Sequence, residues 1–161
     1  TAKSPTVARG WQCALTVPRE LSMRDGKLCQ QPAHEIERMR GDCVRATGGE
    51  TVEEPGRLFD LVVSCEGAQV IELEIRKGVF VRYTDGMLTL DMGDEGYGRD
   101  QRSIELGELR DLRVLSDTTM VEIFANGGEA ALTSRTYSPA VPAMELHAEG
   151  AASMNFYRLV H

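Results

Sequence analysis

The feature that most constrains the fold is an apolar–polar alternation with a period of two residues, which recurs along the chain far more often than helical spacing. In residues 69–76, for example, Ile71, Leu73 and Ile75 alternate with charged residues that end at Arg76. This pattern is typical of a strand with one buried and one solvated face. We therefore expect the apolar residues in a core and Arg76 in solvent.

Ten segments carry this pattern and are predicted as strands: 11–17, 58–65, 70–76, 79–83, 87–92, 112–115, 120–125, 130–135, 144–148 and 154–159. So many short strands imply two packed sheets or a barrel. One short helix is predicted near 32–40, because Pro32 opens the segment and Ile36 and Met39 share a face. The polar, Gly-rich interval 41–56 is predicted as a long loop.

The segment TTMVEIFANGGEAALTSRTY, residues 118–137, contains the clearest hairpin signal. Asn126, Gly127 and Gly128 are residues that tolerate positive φ, and they separate two strand-like runs. We predict an antiparallel hairpin in which Val121 and Ile123 face the core. Its role is predicted to be architectural.

Two carboxylates in this segment, Glu122 and Glu129, invite a catalytic interpretation, since a carboxylate pair is the usual equipment for breaking a glycosidic bond. The carboxylates of this chain alternate on strand surfaces, however, without an evident cleft. We predict that Glu122 and Glu129 are exposed cross-strand neighbours without a catalytic role.

Length and charge limit the partners. A chain of 161 residues fits one globular domain. Its net charge of −7, with no concentrated basic stripe, argues against nucleic acid as a partner. No apolar run approaches the roughly 20 residues that span a bilayer, so no membrane partner is predicted.

The four cysteines, Cys13, Cys29, Cys43 and Cys65, have no CxxC spacing, and the three histidines complete no zinc pattern. We expect no metal. Cys13 and Cys65 alternate with apolar residues and are predicted to be buried, reduced thiols, with disulfides as the alternative. The cysteine usage predicts a cytoplasmic location; a secreted parent remains open.

Three motifs carry a family resemblance: LTVPRELS at 15–22, DGKLCQQP at 25–32 and LRVLSDTTMVEIFANGGEAALTSRTYS at 112–138. With these motifs the chain resembles, from Gly10 to Tyr157, the C-terminal region of glycoside hydrolase family thirty-two, the β-fructofuranosidases, which include invertases, sucrose-6-phosphate hydrolases, levanases and inulinases. The resemblance implies an all-β fold, a two-sheet antiparallel β-sandwich of concanavalin-like or jelly-roll-like form. It also implies a preceding β-propeller that contains the active site. We accordingly predict a lead-in or linker at 1–9 and a single sandwich domain at 10–161.

The catalytic motifs of that family are absent. Asp25, Asp100 and Asp111 each follow an Arg but lack the next residue of the family's Arg-Asp-Pro motif, and Cys65-Glu66 reverses its Glu-Cys dipeptide. No catalytic residue is assigned, and the chain alone is predicted to be inactive. The resemblance implies a supporting module whose parent hydrolyses terminal β-fructofuranosides such as sucrose or sucrose 6-phosphate, without a cofactor. The implied partner is the propeller of the same chain.

Two alternatives come from other functional classes. A lectin-like module would stack sugars on exposed aromatic rings, for which Trp11, Tyr83 and Tyr97 are the candidates. An oligomerisation module would present an apolar patch to a second copy. Sugar titration tests the first alternative and light scattering tests the second.

Overall fold

The structure is a computed structural model that describes residues 4–160. The strands are β1 Arg19–Arg24, β2 Lys27–Pro32, β3 Arg40–Thr47, β4 Thr51–Glu53, β5 Phe59–Ser64, β6 Val70–Arg76, β7 Val79–Thr84, β8 Met87–Asp91, β9 Gln101–Glu105, β10 Asp111–Ser116, β11 Met120–Ala125, β12 Ala130–Arg135, β13 Ala143–Glu145, β14 His147–Glu149 and β15 Ser153–Leu159. Short 3₁₀ segments lie at Pro5–Arg9, His34–Met39, Gly93–Gly96 and Asn126–Gly128. No helix between residues 4 and 160 is long and apolar enough to cross a membrane.

Two antiparallel sheets make up the body of the fold. The larger has six strands in the order β12-β11-β10-β5-β15-β3, and the smaller has five in the order β14-β6-β7-β8-β9. Two further pairs, β1–β2 and β13–β4, form separate two-stranded sheets. The alternation pattern allowed two packed sheets or a barrel, and the all-β sandwich implied by the family resemblance is confirmed.

The core lies between the two large sheets and is built from the alternating apolar residues. Val121 and Ile123 of β11 are fully buried, as are Ile71 and Leu73 of β6. The register pairs Val121 with Ser134 and Ile123 with Leu132, which makes β11 and β12 the predicted antiparallel hairpin. Burial of this apolar area is the main driving force for the fold.

Several predicted elements differ from the structure. Residues 11–17 are irregular and do not form a strand, whereas the predicted loop 41–56 contains most of β3 and all of β4. β3 was not predicted as a strand because it is an edge strand, mostly exposed, and therefore lacks apolar alternation. The run 144–148 divides into β13 and β14, which pair with different strands. The short helix near 32–40 is present as a 3₁₀ segment over His34–Met39.

The prediction that Arg76 lies in solvent is wrong. The β6–β7 register shifts between Glu74 and Arg76, and such an irregularity re-aims the following side chain. The Arg76 side chain is fully buried, donating from Nε to Ser116 Oγ at 3.0 Å and from Nη1 to the Ser138 carbonyl at 2.9 Å. Burial lowers its pKa to about 10.

Candidate functional site

The hairpin β1–β2 lies against the turn that joins β11 to β12. Arg24 Nη2 donates to the carbonyl oxygens of Asn126 and Gly127 at 2.9 and 3.0 Å. Gln31 Nε2 donates to the same Gly127 carbonyl at 2.7 Å. The hairpin is therefore held to the sandwich by side-chain donors that bind backbone acceptors.

Glu122 is buried beneath the segment that leads into this hairpin, so its predicted exposure is wrong. The backbone N–H of Val17 donates to Oε1 at 2.8 Å, and Arg19 Nη2 donates to Oε2 at 2.7 Å. Arg19 also donates to Thr133 Oγ1 at 2.8 Å and lies over the Phe124 ring, 5.2 Å from its centroid. The alternation predicted that Glu122 points away from Val121 and Ile123, and it does, but Val17 and Arg19 pack over it there.

Glu129 is half-buried and bridges two further cations. Its Oε2 accepts from Lys27 Nζ at 3.1 Å and its Oε1 from Arg110 Nη2 at 3.1 Å. The Lys27 hydrogen bond is the main reason why the pKa of Glu129 lies below its ordinary value. Glu129 is thus a second attachment point for the hairpin.

Glu122 and Glu129 lie at different places along the β11–β12 hairpin. They are not cross-strand partners, since Glu122 pairs with Thr133 and Glu129 lies at the end of the turn, outside β12. Each carboxylate is committed to at least one cation. Retaining glycosidases instead place two carboxyl groups about 5 Å apart across an open sugar pocket.

The turn itself depends on its glycines. Asn126, Gly127 and Gly128 all have positive φ, at 53°, 65° and 90°. A Cβ added to Gly128 would lie 2.0 Å from the backbone oxygen of Gln30 in β2, so the hairpin packs directly on this glycine. The Asn126 side chain also accepts from the Arg110 N–H at 2.8 Å.

The three aromatic candidates are in different environments. Tyr83 is buried in the core and its hydroxyl donates to the Gly107 carbonyl, so it cannot stack on a sugar. Trp11 and Tyr97 are 43% and 39% exposed and line one cleft of about 370 Å³ together with Tyr137. The Tyr97 and Tyr137 rings meet edge to face with centroids 5.8 Å apart.

The cysteines are all free thiols. Cys29 and Cys65 are buried and Cys13 and Cys43 are exposed. The burial predicted for Cys13 is wrong because residues 11–17 do not form the expected strand.

His34 links the hairpin to the 3₁₀ segment. Its Nδ1 lies 2.5 Å from Glu20 Oε1 and its Nε2 lies 3.4 Å from Glu35 Oε1. The hydrogen bond with Glu20 raises the pKa of His34, and Glu35 adds to the effect. All three side chains are exposed, and they form a polar link between β1 and the 3₁₀ segment.

Comparison with known proteins decides the family. The family model for the C-terminal part of glycosyl hydrolases family 32 matches residues 74–159, more than half of the chain. The chain belongs to this family. Among relatives of this family 32 C-terminal domain, a raffinose invertase of Escherichia coli is 37% identical over 154 residues, covering 84% of the chain and 32% of that protein. A sucrose-6-phosphate hydrolase of Salmonella typhimurium is 31% identical over 145 residues, covering 84% of the chain and 28% of that protein.

Solved structures support the fold of this family 32 domain. A sucrose-6-phosphate hydrolase from Lactobacillus gasseri superposes with a TM-score of 0.84 at 19% identity, covering 98% of the chain and 36% of that structure. A β-fructofuranosidase from Bombyx mori superposes with a TM-score of 0.71 at 20% identity, covering 91% of the chain and 33% of that structure. The domain therefore spans about a third of the length of these proteins.

The β1–β2 hairpin was not predicted from the sequence, although the sequence contains one signal for it. Asp25-Gly26, at φ 50° and 76°, is a favoured two-residue turn. The flanking runs are short and mostly polar, and their large apolar residues Leu21, Met23 and Leu28 are exposed, so they give only a weak strand signal.

Proposed function

We propose that this domain is a non-catalytic supporting module and that its hairpin β1–β2 contacts the catalytic part of the same protein. The parent would be a β-fructofuranosidase-like hydrolase of terminal fructosides such as sucrose or sucrose 6-phosphate, as the names of its relatives suggest. The domain boundary at residues 9 and 10 is part of this proposal.

The main support for the proposal is that some side chains of the β1–β2 hairpin bind the sandwich, whereas its large apolar side chains are exposed. Arg24, Lys27 and Gln31 bind the sandwich. Three large apolar side chains of the same hairpin are more than half exposed: Leu21, Met23 and Leu28. Apolar side chains clustered on an exposed two-stranded sheet mark a surface that another structure covers.

The test compares a triple variant, Leu21→Ser, Met23→Ser and Leu28→Ser, in the isolated chain and in the chain joined to its upstream reading frame. We expect similar unfolding midpoints for the isolated wild type and variant. In the longer protein, the variant should inactivate at a lower temperature. Met87→Ser, at an exposed apolar position outside the hairpin, is the matched control; an equal loss in this control would refute the contact.

Catalysis is tested with the isolated chain and sucrose, sucrose 6-phosphate and inulin. We expect fructose release equal to that of buffer. Turnover that survives repurification and disappears in Glu122→Gln or Glu129→Gln would overturn the non-catalytic assignment. Light scattering across a concentration range addresses the oligomerisation alternative, in which the same apolar side chains would meet a second copy.

A second candidate function, carbohydrate binding, is favoured by one observation: Trp11 and Tyr97 line the same open cleft. Sugars present C–H faces that stack on such rings. Trp11 is the single tryptophan of the chain, so its fluorescence reports on this cleft during titration with fructose, sucrose or inulin. No saturable change would exclude the lectin-like alternative.

A further inference from the structure

A second cleft, distinct from the aromatic one, is lined by arginines. It lies by the edge strands of the two large sheets, since Arg135 ends β12 and Arg102 belongs to β9. Arg99 completes the basic lining, and the irregular segment 13–16 forms another wall. The cleft has a volume of about 270 Å³.

The positive charge of this cleft is uncompensated. Within residues 4–160, none of Arg99, Arg102 and Arg135 forms an ion pair with a carboxylate, and no Asp or Glu lines the cleft. This is notable in a chain with a net charge of −7. Three neighbouring cations repel one another, and an anion between them removes that repulsion.

Two of the residues that line this cleft, Ser134 and Arg135, each have a buried polar atom that lacks a partner. Ser134 is 4% exposed, yet its Oγ has no hydrogen-bond partner in the described part of the chain. The same is true of Arg135 Nη1. Buried polar groups of folded proteins are nearly always hydrogen-bonded, so these two residues beside the cleft have donors that lack acceptors.

We propose that this arginine cleft binds a phosphate group, as free phosphate or as a phosphate monoester. Guanidinium groups match phosphate oxygens in geometry and charge, and several can share one tetrahedral anion. The Ser134 hydroxyl would donate to a further oxygen. The proposal does not depend on the proposed supporting function, because the lining residues belong to the sandwich and the segment beside it.

The experiment is an NMR titration of the ¹⁵N-labelled chain with inorganic phosphate, glucose 6-phosphate and glucose, with ionic strength held constant by sodium chloride because salt screens exposed charges. We expect saturable shifts of the Ser134 and Arg135 signals with both phosphates and none with glucose. Tighter binding of glucose 6-phosphate than of phosphate would identify a phosphorylated compound as the ligand. Equal binding would identify the free anion.

Variants separate this site from general charge effects. Arg102→Gln and Ser134→Ala should each weaken phosphate binding about tenfold, the order expected for loss of a charge-assisted hydrogen bond. Arg38→Gln removes an exposed arginine that does not line the cleft and should leave affinity unchanged. The proposal fails if no shift saturates, if Arg38→Gln weakens binding as much as Arg102→Gln, or if glucose alone produces the shifts. The dispersion of the spectra reports whether each variant is folded.

Discussion

At the scale of single residues, Glu122 and Glu129 show how the surroundings of a carboxylate decide its role. Both flank the same turn, and both bind cations of the β1–β2 region. Glu122 does so in a buried site, where loss of its charge leaves the Arg19 guanidinium without its counter-ion. Glu129 does so at the surface, where water replaces a lost partner.

This difference predicts unequal effects of the same substitution. Glu122→Gln should lower the free energy of unfolding by about 2 to 4 kcal/mol, because breaking a buried ion pair strands the other charge. Glu129→Gln should change it by no more than about 0.5 kcal/mol. Urea melts of the two variants measure both values, and equal effects would contradict the difference in burial.

His34 gives a pH-dependent prediction. Its pKa is raised above 6.5 in the folded chain by Glu20, so the protonated form is favoured by folding. The contribution of His34 to the stability of the fold is fully present below the pKa that His34 has in the unfolded chain. It is lost as the pH rises through the pKa of His34 in the folded chain. NMR titration should place the His34 midpoint above the ordinary histidine value of 6.5. In Glu20→Gln the His34 midpoint should move down; an unmoved midpoint would show that the Glu20 link does not form in solution.

At the scale of elements, the sequence predicted the buried strands well and the exposed ones poorly. β6, β11 and β12 have the predicted bounds because one face of each carries apolar residues into the core. β1, β2 and β3 were not recognised because their side chains are mostly exposed. The ion pair of Arg19 with Glu122 joins residues 103 positions apart, a separation that local patterns do not encode.

The turn between β11 and β12 yields an element-scale prediction. Gly128→Ala should cost more stability than Gly127→Ala, because the Gly128 methyl would collide with the β2 backbone while the Gly127 methyl would meet the end of the Arg24 side chain. We expect about 1 to 2 kcal/mol for Gly127→Ala, from positive φ, and a larger loss for Gly128→Ala. Urea melts rank the two; the reverse order would mean that β1–β2 does not pack on this turn.

At the scale of the whole molecule, the reactivity of the four thiols measures which parts of the sandwich are accessible to solvent. Cys13 and Cys43 should react rapidly with a thiol reagent in the native state, and Cys29 and Cys65 slowly. Burial raises the pKa of Cys65 to about 12, so this thiol also lacks the reactive thiolate form. Mass spectrometry of labelled peptides identifies the order in which the cysteines react. After denaturation without reductant, we expect four reactive thiols. Fewer than four would indicate a disulfide.

The position of β15 has a consequence for synthesis. This strand, Ser153–Leu159, lies between β5 and β3 in the six-stranded sheet. Until it leaves the ribosome, β3 has no place to pair and β5 has a bare edge, because pairings of such high sequence separation form only when both partners are available. A ribosome that stops before Leu159 therefore releases a chain with exposed strand edges, which are recognisable to chaperones and proteases. The six-stranded sheet can therefore be completed only after Ser153–Leu159 has been synthesised.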